Sequence, residues 1–346
     1  MAKKRKTLPK EFEDLLKSGD VQALKDVFTK CEIDARGSFY KHTALAFDHC
    51  PHELAQWLVE QGADLQATDT WGNTPLHRRS RSRSGNISSL LELGADVNMA
   101  SNYGGTPLHA AAEAHNPENT ALLLAHGAKV DIINIYGLTP LESALKTCSN
   151  IEIVKTLAIA KLYRDAGVAF TAKMKELVAE IGKRFEFHRA TFNKESVEEV
   201  SAALEELYSL FGAEPVAKRE MHDGSSPIIP KAASWEDQHD ELWAMLVPSS
   251  GPAATVQGEV IRISGKISRE LQGNGGINWD DDFKKMADAF LTFVGTGNAV
   301  SYDETEKIVK EVKRKSGDTD RMLEIAVKWV VENPMPVKLP VVEYKR

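Results

Sequence analysis

Guanidinium groups crowd one short stretch of this 346-residue chain. Arg78, Arg79, Arg81 and Arg83 all lie within TPLHRRSRSRSGN, the segment from Thr74 to Asn86. A guanidinium is a planar fork of donors that matches carboxylates and phosphates two bonds at a time, so a row of them is a candidate anion-recognition surface. On a helix, at about 100° per residue, the four spread over roughly 200° and cannot all enter one groove. Two readings stay open: an exposed, partly irregular helix with solvated charges, or a basic spot on a groove that meets an acidic partner. RNA is disfavoured, because no aromatic residues are interleaved for base stacking.

A second polar set stands in the C-terminal part: Gln257, Glu259, Arg262, Glu270, Asn274 and Asn278. Arg262 follows Glu259 by three positions and Lys266 precedes Glu270 by four, so each pair forms helix-surface neighbours. An ion-pair ladder on a packed helix therefore competes with a functional pocket. Other clusters carry less. His42, His49, Cys50 and His52 have metal-ligating side chains but no Cys-x-x-Cys pair. Asp280, Asp281 and Asp282 lack the alternating spacing of a calcium loop and suit the positive end of a helix. No nucleophile motif surrounds Ser249, Cys148 or His239. SSGPAATVQGE lacks the Gly-Lys-Ser/Thr of a phosphate loop, and GNGG at 273–276 closes a helix instead of opening one. No catalytic residue, metal or cofactor is expected.

Composition bounds the partners. The chain is 42% hydrophobic and 27% charged with net charge −7, so bulk attraction to nucleic acid or an anionic membrane is not expected. No apolar run reaches eighteen residues, so no membrane span is expected. The basic start MAKKRKTLPKEF has no apolar segment behind it and reads as a solvated tail. Three cysteines fit a reducing compartment, hence a cytoplasmic location.

The elements that position the arginines come from a repeat. WGNTPLH (71–77), YGGTPLH (103–109) and YGLTPLE (136–142) recur, with Thr74, Thr106 and Thr139 separated by 32 and 33 residues. A second marker keeps the same period in WLVEQGADLQA, LLELGADVN and LLLAHGAKVD, on Gly62, Gly94 and Gly127. Thr caps a helix and Pro occupies a first turn that needs no N–H. Gly accepts the left-handed conformation that ends a second helix. Such units bury their apolar faces only by stacking. About five units are expected, from a cap near Phe12 to Ala35 to a lengthened last helix over Ile151 to Asp165.

Two motifs recurring in phase resemble the ankyrin repeat. The resemblance implies a solenoid whose first helices line a protein-binding groove, with His77 and His109 making structural hydrogen bonds. On that basis Arg78, Arg79, Arg81, Arg83, Glu113, His115, Trp71, Tyr103 and Tyr136 are groove candidates. The fold class expected is all-α, an ankyrin-repeat solenoid followed by a smaller helical domain. The expected divisions are 1–168 for the repeats, 169–212 for a helical extension, 213–234 for a linker, 235–333 for a C-terminal helical domain and 334–346 for an extended tail. The run 242–283 is similar to a segment of uncharacterised bacterial proteins, with no activity implied.

The function expected is protein binding without catalysis. A bacterial immunity protein that binds and inhibits a toxin or another enzyme is the first form of it. An effector that grips a host protein is the second. An enzyme with its site in 235–333, its substrate recruited by the repeats, is the alternative.

Overall fold

A computed structural model describes residues 3–82, 85–189, 192–298 and 300–346. Over half of the chain is helical, and among the described residues the strands amount to one two-stranded sheet. Two units separate: one runs to Phe185 and includes Asn193–Val216, and the other comprises Glu186–Phe192 with Ala217–Arg346.

In the first unit, β1 (Arg5–Thr7) pairs in parallel with β2 (Cys31–Arg36), and α1 (Phe12–Ser18) and α2 (Val21–Lys30) lie between them in sequence. The basic start is thus exposed but anchored, contrary to a free tail. Lys4 Nζ donates to the Phe28 carbonyl at 2.7 Å, one of the last-turn acceptors that α2 leaves open.

The remaining helices form two rows. The inner row is a 3₁₀ turn (Ala44–Ala46), α4 (Pro75–Arg81), α6 (Pro107–Glu113) and α8 (Pro140–Thr147), each packed on the next. The outer row is α3 (His52–Glu60), α5 (Ser88–Glu92), α7 (Pro117–Ala125), α9 (Ile153–Asp165) and α11 (Val197–Phe211), with α10 (Ala172–His188) before α11. The lengthened helix begins at Ile153, after a 3₁₀ turn over Asn150–Glu152.

One closure repeats along the outer row. Gly62, Gly94, Gly127, Gly167 and Gly212 all have positive φ. The amide after each donates five residues back: Ala63 to Leu58, Ala95 to Leu90, Ala128 to Leu123, Val168 to Tyr163 and Ala213 to Tyr208, at 2.9–3.0 Å. This satisfies carbonyls that a helix end leaves unpaired. The local device of the repeats therefore continues through α9 and α11, beyond the last Thr-Pro-Leu.

The second unit holds α12 (Trp235–Leu246), α13 (Val256–Ser268) with a π turn over Arg269–Gly273, α14 (Asp281–Val294), α15 (Tyr302–Val312) and α16 (Thr319–Glu332). Thr255 caps α13 and Asp280 caps α14. Helix α13 packs against α12, α14 and α16. Its two faces do not divide into core and solvent: Gln257, Glu259 and Arg262 are as buried as Val260 and Ile263. The extended chain after Pro334 folds back onto it, with Val256 N–H bonded to the Val337 carbonyl at 2.8 Å and Leu339 N–H to the Ala254 carbonyl at 3.1 Å.

Candidate functional site

The turns that precede α4, α6 and α8 carry one aromatic residue each, and the turn before Ala44–Ala46 carries two, Phe39 and Tyr40. Asp69 shapes its turn by accepting from Trp71 N–H at 2.8 Å and Asn73 N–H at 2.9 Å; Asn134 does the same for Tyr136 and Leu138. Adjacent turns are joined through the aromatic residues' own carbonyls: Tyr40 accepts from Thr70 at 3.1 Å, Trp71 from Asn102 at 3.1 Å and Tyr103 from Ile135 at 2.9 Å. This backbone ladder sets the rings in series. Trp71 and Tyr103 lie 5.6 Å apart between centroids, and Tyr136 is 71% exposed.

Those rings border a cleft of about 570 Å³ whose lining includes Tyr40, Trp71, Tyr103, Tyr136, Arg78 and Glu113. A neighbouring hollow of about 460 Å³ shares Tyr40, Arg78 and Arg81 with it and reaches Phe39 and Glu13. Aromatic rings, absent from the arginine segment itself, are thus supplied by neighbouring repeats. Tyr40 and Phe39 escaped the pattern reading, although Tyr40 precedes Trp71 by 31 residues, almost the repeat period.

The four arginines have separate fates. Arg78 lies with its guanidinium 4.6 Å from the centre of the Tyr40 ring, and its side chain is 27% exposed. Arg81 reaches across to α6 and pairs with Glu113 at 2.8 Å. Arg79 points the other way and is 2% exposed, so it is no part of the cleft. It bonds Ser89 Oγ at 3.3 Å and the Asn86 carbonyl, tying α4 to the start of α5, while Asn119 of the next repeat binds the Arg79 carbonyl at 3.4 Å. Arg83 lies outside the described residues.

His115 also leaves the groove: it is buried, with Nδ1 3.0 Å from Thr156 Oγ1 and Nε2 3.5 Å from Glu152. Its positive φ closes the link from α6 to α7 and turns the ring toward α9.

His77 and His109 join successive repeats. Thr74 N–H donates to His77 Nδ1 at 3.2 Å, which leaves Nε2 to donate to the Gly105 carbonyl at 3.0 Å. His109 repeats this with Thr106 and Leu138. Burial pushes the His77 pKa down to about 4 and lowers that of His109, so both are neutral at pH 7. In the third copy Glu142 replaces histidine. A carboxylate cannot donate onward, and Lys173 supplies the donors, to Glu142 at 3.3 Å and to the Gly137 carbonyl at 2.9 Å.

Elsewhere in the first unit, His42 is buried beside Phe47, with Nδ1 3.2 Å from Ser38 Oγ. Burial, reinforced by the Arg78 charge, pushes its pKa down to about 4. Burial also pushes the Cys50 thiol up to about 12 and the Cys148 thiol up to about 11, which removes nucleophilic character at neutral pH.

In the second unit the six polar candidates fall into two groups. Gln257 donates to the Asn333 and Met335 carbonyls at 2.9 and 2.7 Å and accepts from Val337 N–H at 3.0 Å. Glu259 takes both Arg262 donors, at 2.6 and 2.8 Å, and the Tyr344 hydroxyl at 2.8 Å; Arg262 then reaches the Arg346 carbonyl. Glu270 instead organises the following loop, binding Asn278 N–H at 2.6 Å and the Asn274 amide at 3.1 Å. The Glu259–Arg262 pair is buried, not on a helix surface, and no Lys266–Glu270 pair forms among the described residues. Tyr344 and Arg346, which the sequence did not single out, tie the two groups together, since Arg346 also binds the Asn278 carbonyl and Asp280. These groups are satisfied by one another, which is the bonding of a closed structural network. His239 is likewise buried, 3.3 Å from Ser264 Oγ.

Residues 41–134 and 81–166 match the family model for ankyrin repeats, in three copies. This part of the chain therefore carries ankyrin repeats within an all-α fold, and they support a protein-binding role. No helix among the described residues is long and apolar enough to cross a membrane.

Proposed function

We propose that this ankyrin-repeat-bearing chain binds a partner protein in the cleft between its turns and its inner helices. The row of exposed rings, Tyr40, Trp71, Tyr103 and Tyr136, carries the reading. Aromatic side chains offer large contact areas with few rotamers to freeze, and they dominate binding energy at protein interfaces. Held by a backbone ladder, these rings meet a partner with little ordering left to do.

The test is affinity capture from the native host with the full chain, its Trp71→Ala/Tyr103→Ala variant and a Lys310→Glu control on α15. One stoichiometric partner should come down with the wild type and the control and be lost with the double variant. Equal capture by all three would reject the cleft. The captured protein also assigns the setting: a toxin silenced by the complex makes the chain an immunity protein, and a host protein makes it an effector.

A further inference from the structure

Of the described cleft arginines, Arg78 alone has no carboxylate within hydrogen-bond distance. Arg81 is paired with Glu113 through one bond of 2.8 Å. Arg78 has an acidic neighbour in Asp69, but its Nε stands 4.0 Å from that carboxylate, which already accepts from Trp71, Asn73 and the Asn73 side chain. The terminal N–H groups of Arg78 bond no described residue, while the Tyr40 ring fixes the plane of the guanidinium from one side. A half-buried, pre-oriented fork without an acceptor is built to receive one.

The charge around it selects the acceptor. Arg81 is neutralised, Asp69 and Glu113 flank the site, and His77 and His109 are uncharged. One free guanidinium matches one negative charge. Because Glu113 already holds Arg81, a phosphate dianion or a nucleic-acid backbone would find no second free cation there and would approach the Asp69 carboxylate. On the reading that the cleft is a protein-binding surface, we propose that it takes an acidic segment of the partner. One aspartate or glutamate carboxylate sits in the Arg78 fork, and neighbouring apolar side chains cross Trp71 and Tyr103.

A random dodecapeptide library displayed on phage and selected on the full chain tests this, with affinities of the selected, labelled peptides read by fluorescence anisotropy. Selected sequences should share an acidic residue beside apolar ones. Arg78→Ala should weaken them roughly 10- to 100-fold, the worth of a hydrogen bond to a charged group. Arg78→Lys, which keeps charge but loses the fork, should fall between. Changing the peptide's own glutamate to glutamine should give a comparable loss that is not additive with Arg78→Ala, and this arm holds even if the protein variant folds poorly.

Peptides without an acidic consensus, or indifferent to Arg78→Ala, overturn the proposal; if Trp71→Ala still abolishes their binding, the cleft reading survives. Peptides indifferent to both variants sink both readings. Failure to select any peptide, or tighter binding of oligothymidylate or a phosphopeptide, also overturns it.

Discussion

Acidification should loosen the inner row of repeats through His77. The ring accepts at Nδ1 from Thr74 N–H and donates at Nε2 to the Gly105 carbonyl, so a second proton at Nδ1 would face a donor. An unfolded histidine gains a proton near pH 6.5, whereas the buried His77 gains it only at about 4. Between those values the unfolded state binds more protons, so the contribution is fully present above pH 6.5 and is lost as pH falls toward 4. The whole loss is about 3 kcal/mol, and about 2 kcal/mol of it is gone by pH 5. Hydrogen exchange of the α4 and α6 amides in the full chain, corrected for intrinsic rates, reads this directly. His77→Gln keeps a donor and an acceptor but cannot titrate. Wild type should lose about 2 kcal/mol more protection than His77→Gln between pH 7 and pH 5. Equal losses would show that His77 is not the titrating group, and a wild type that gains protection on acidification would refute the reasoning outright.

Two packing tests follow. Gly182 lies within α10, where a Cβ would stand 1.7 Å from the Tyr208 hydroxyl. Gly182→Ala should therefore lower thermal stability by about 1–3 kcal/mol, reversing the gain of about 1 kcal/mol expected of alanine in an open helix. In the second unit, Glu259→Gln strands the buried Arg262 charge and should cost about 3–5 kcal/mol in urea unfolding, while Tyr344→Phe removes only one charge-assisted bond and should cost about 1.5–3 kcal/mol.

What the sequence determined by itself is what neighbours along the chain decide. Thr-Pro starts and Gly ends act within a few residues, so the helix pairs from Thr74 to Gly127 were legible from motif and period, and the resemblance those motifs carry implied the hydrogen-bonding roles of His77 and His109. The same reasoning failed wherever a side chain answers to a distant one. Arg79 turns inward because it can fold onto Ser89 and Asn86, while Asn119 ties down its carbonyl from 40 positions away. The aromatic row exists only because residues about 32 apart are stacked by a backbone ladder. Helix α13 reads as amphipathic, yet it is enclosed, because chain 76–85 positions later brings partners to Gln257 and Glu259. Period and capping are local energies and can be read off a string. Which way a charge points, and whether its burial is tolerable, depends on partners that only tertiary packing delivers.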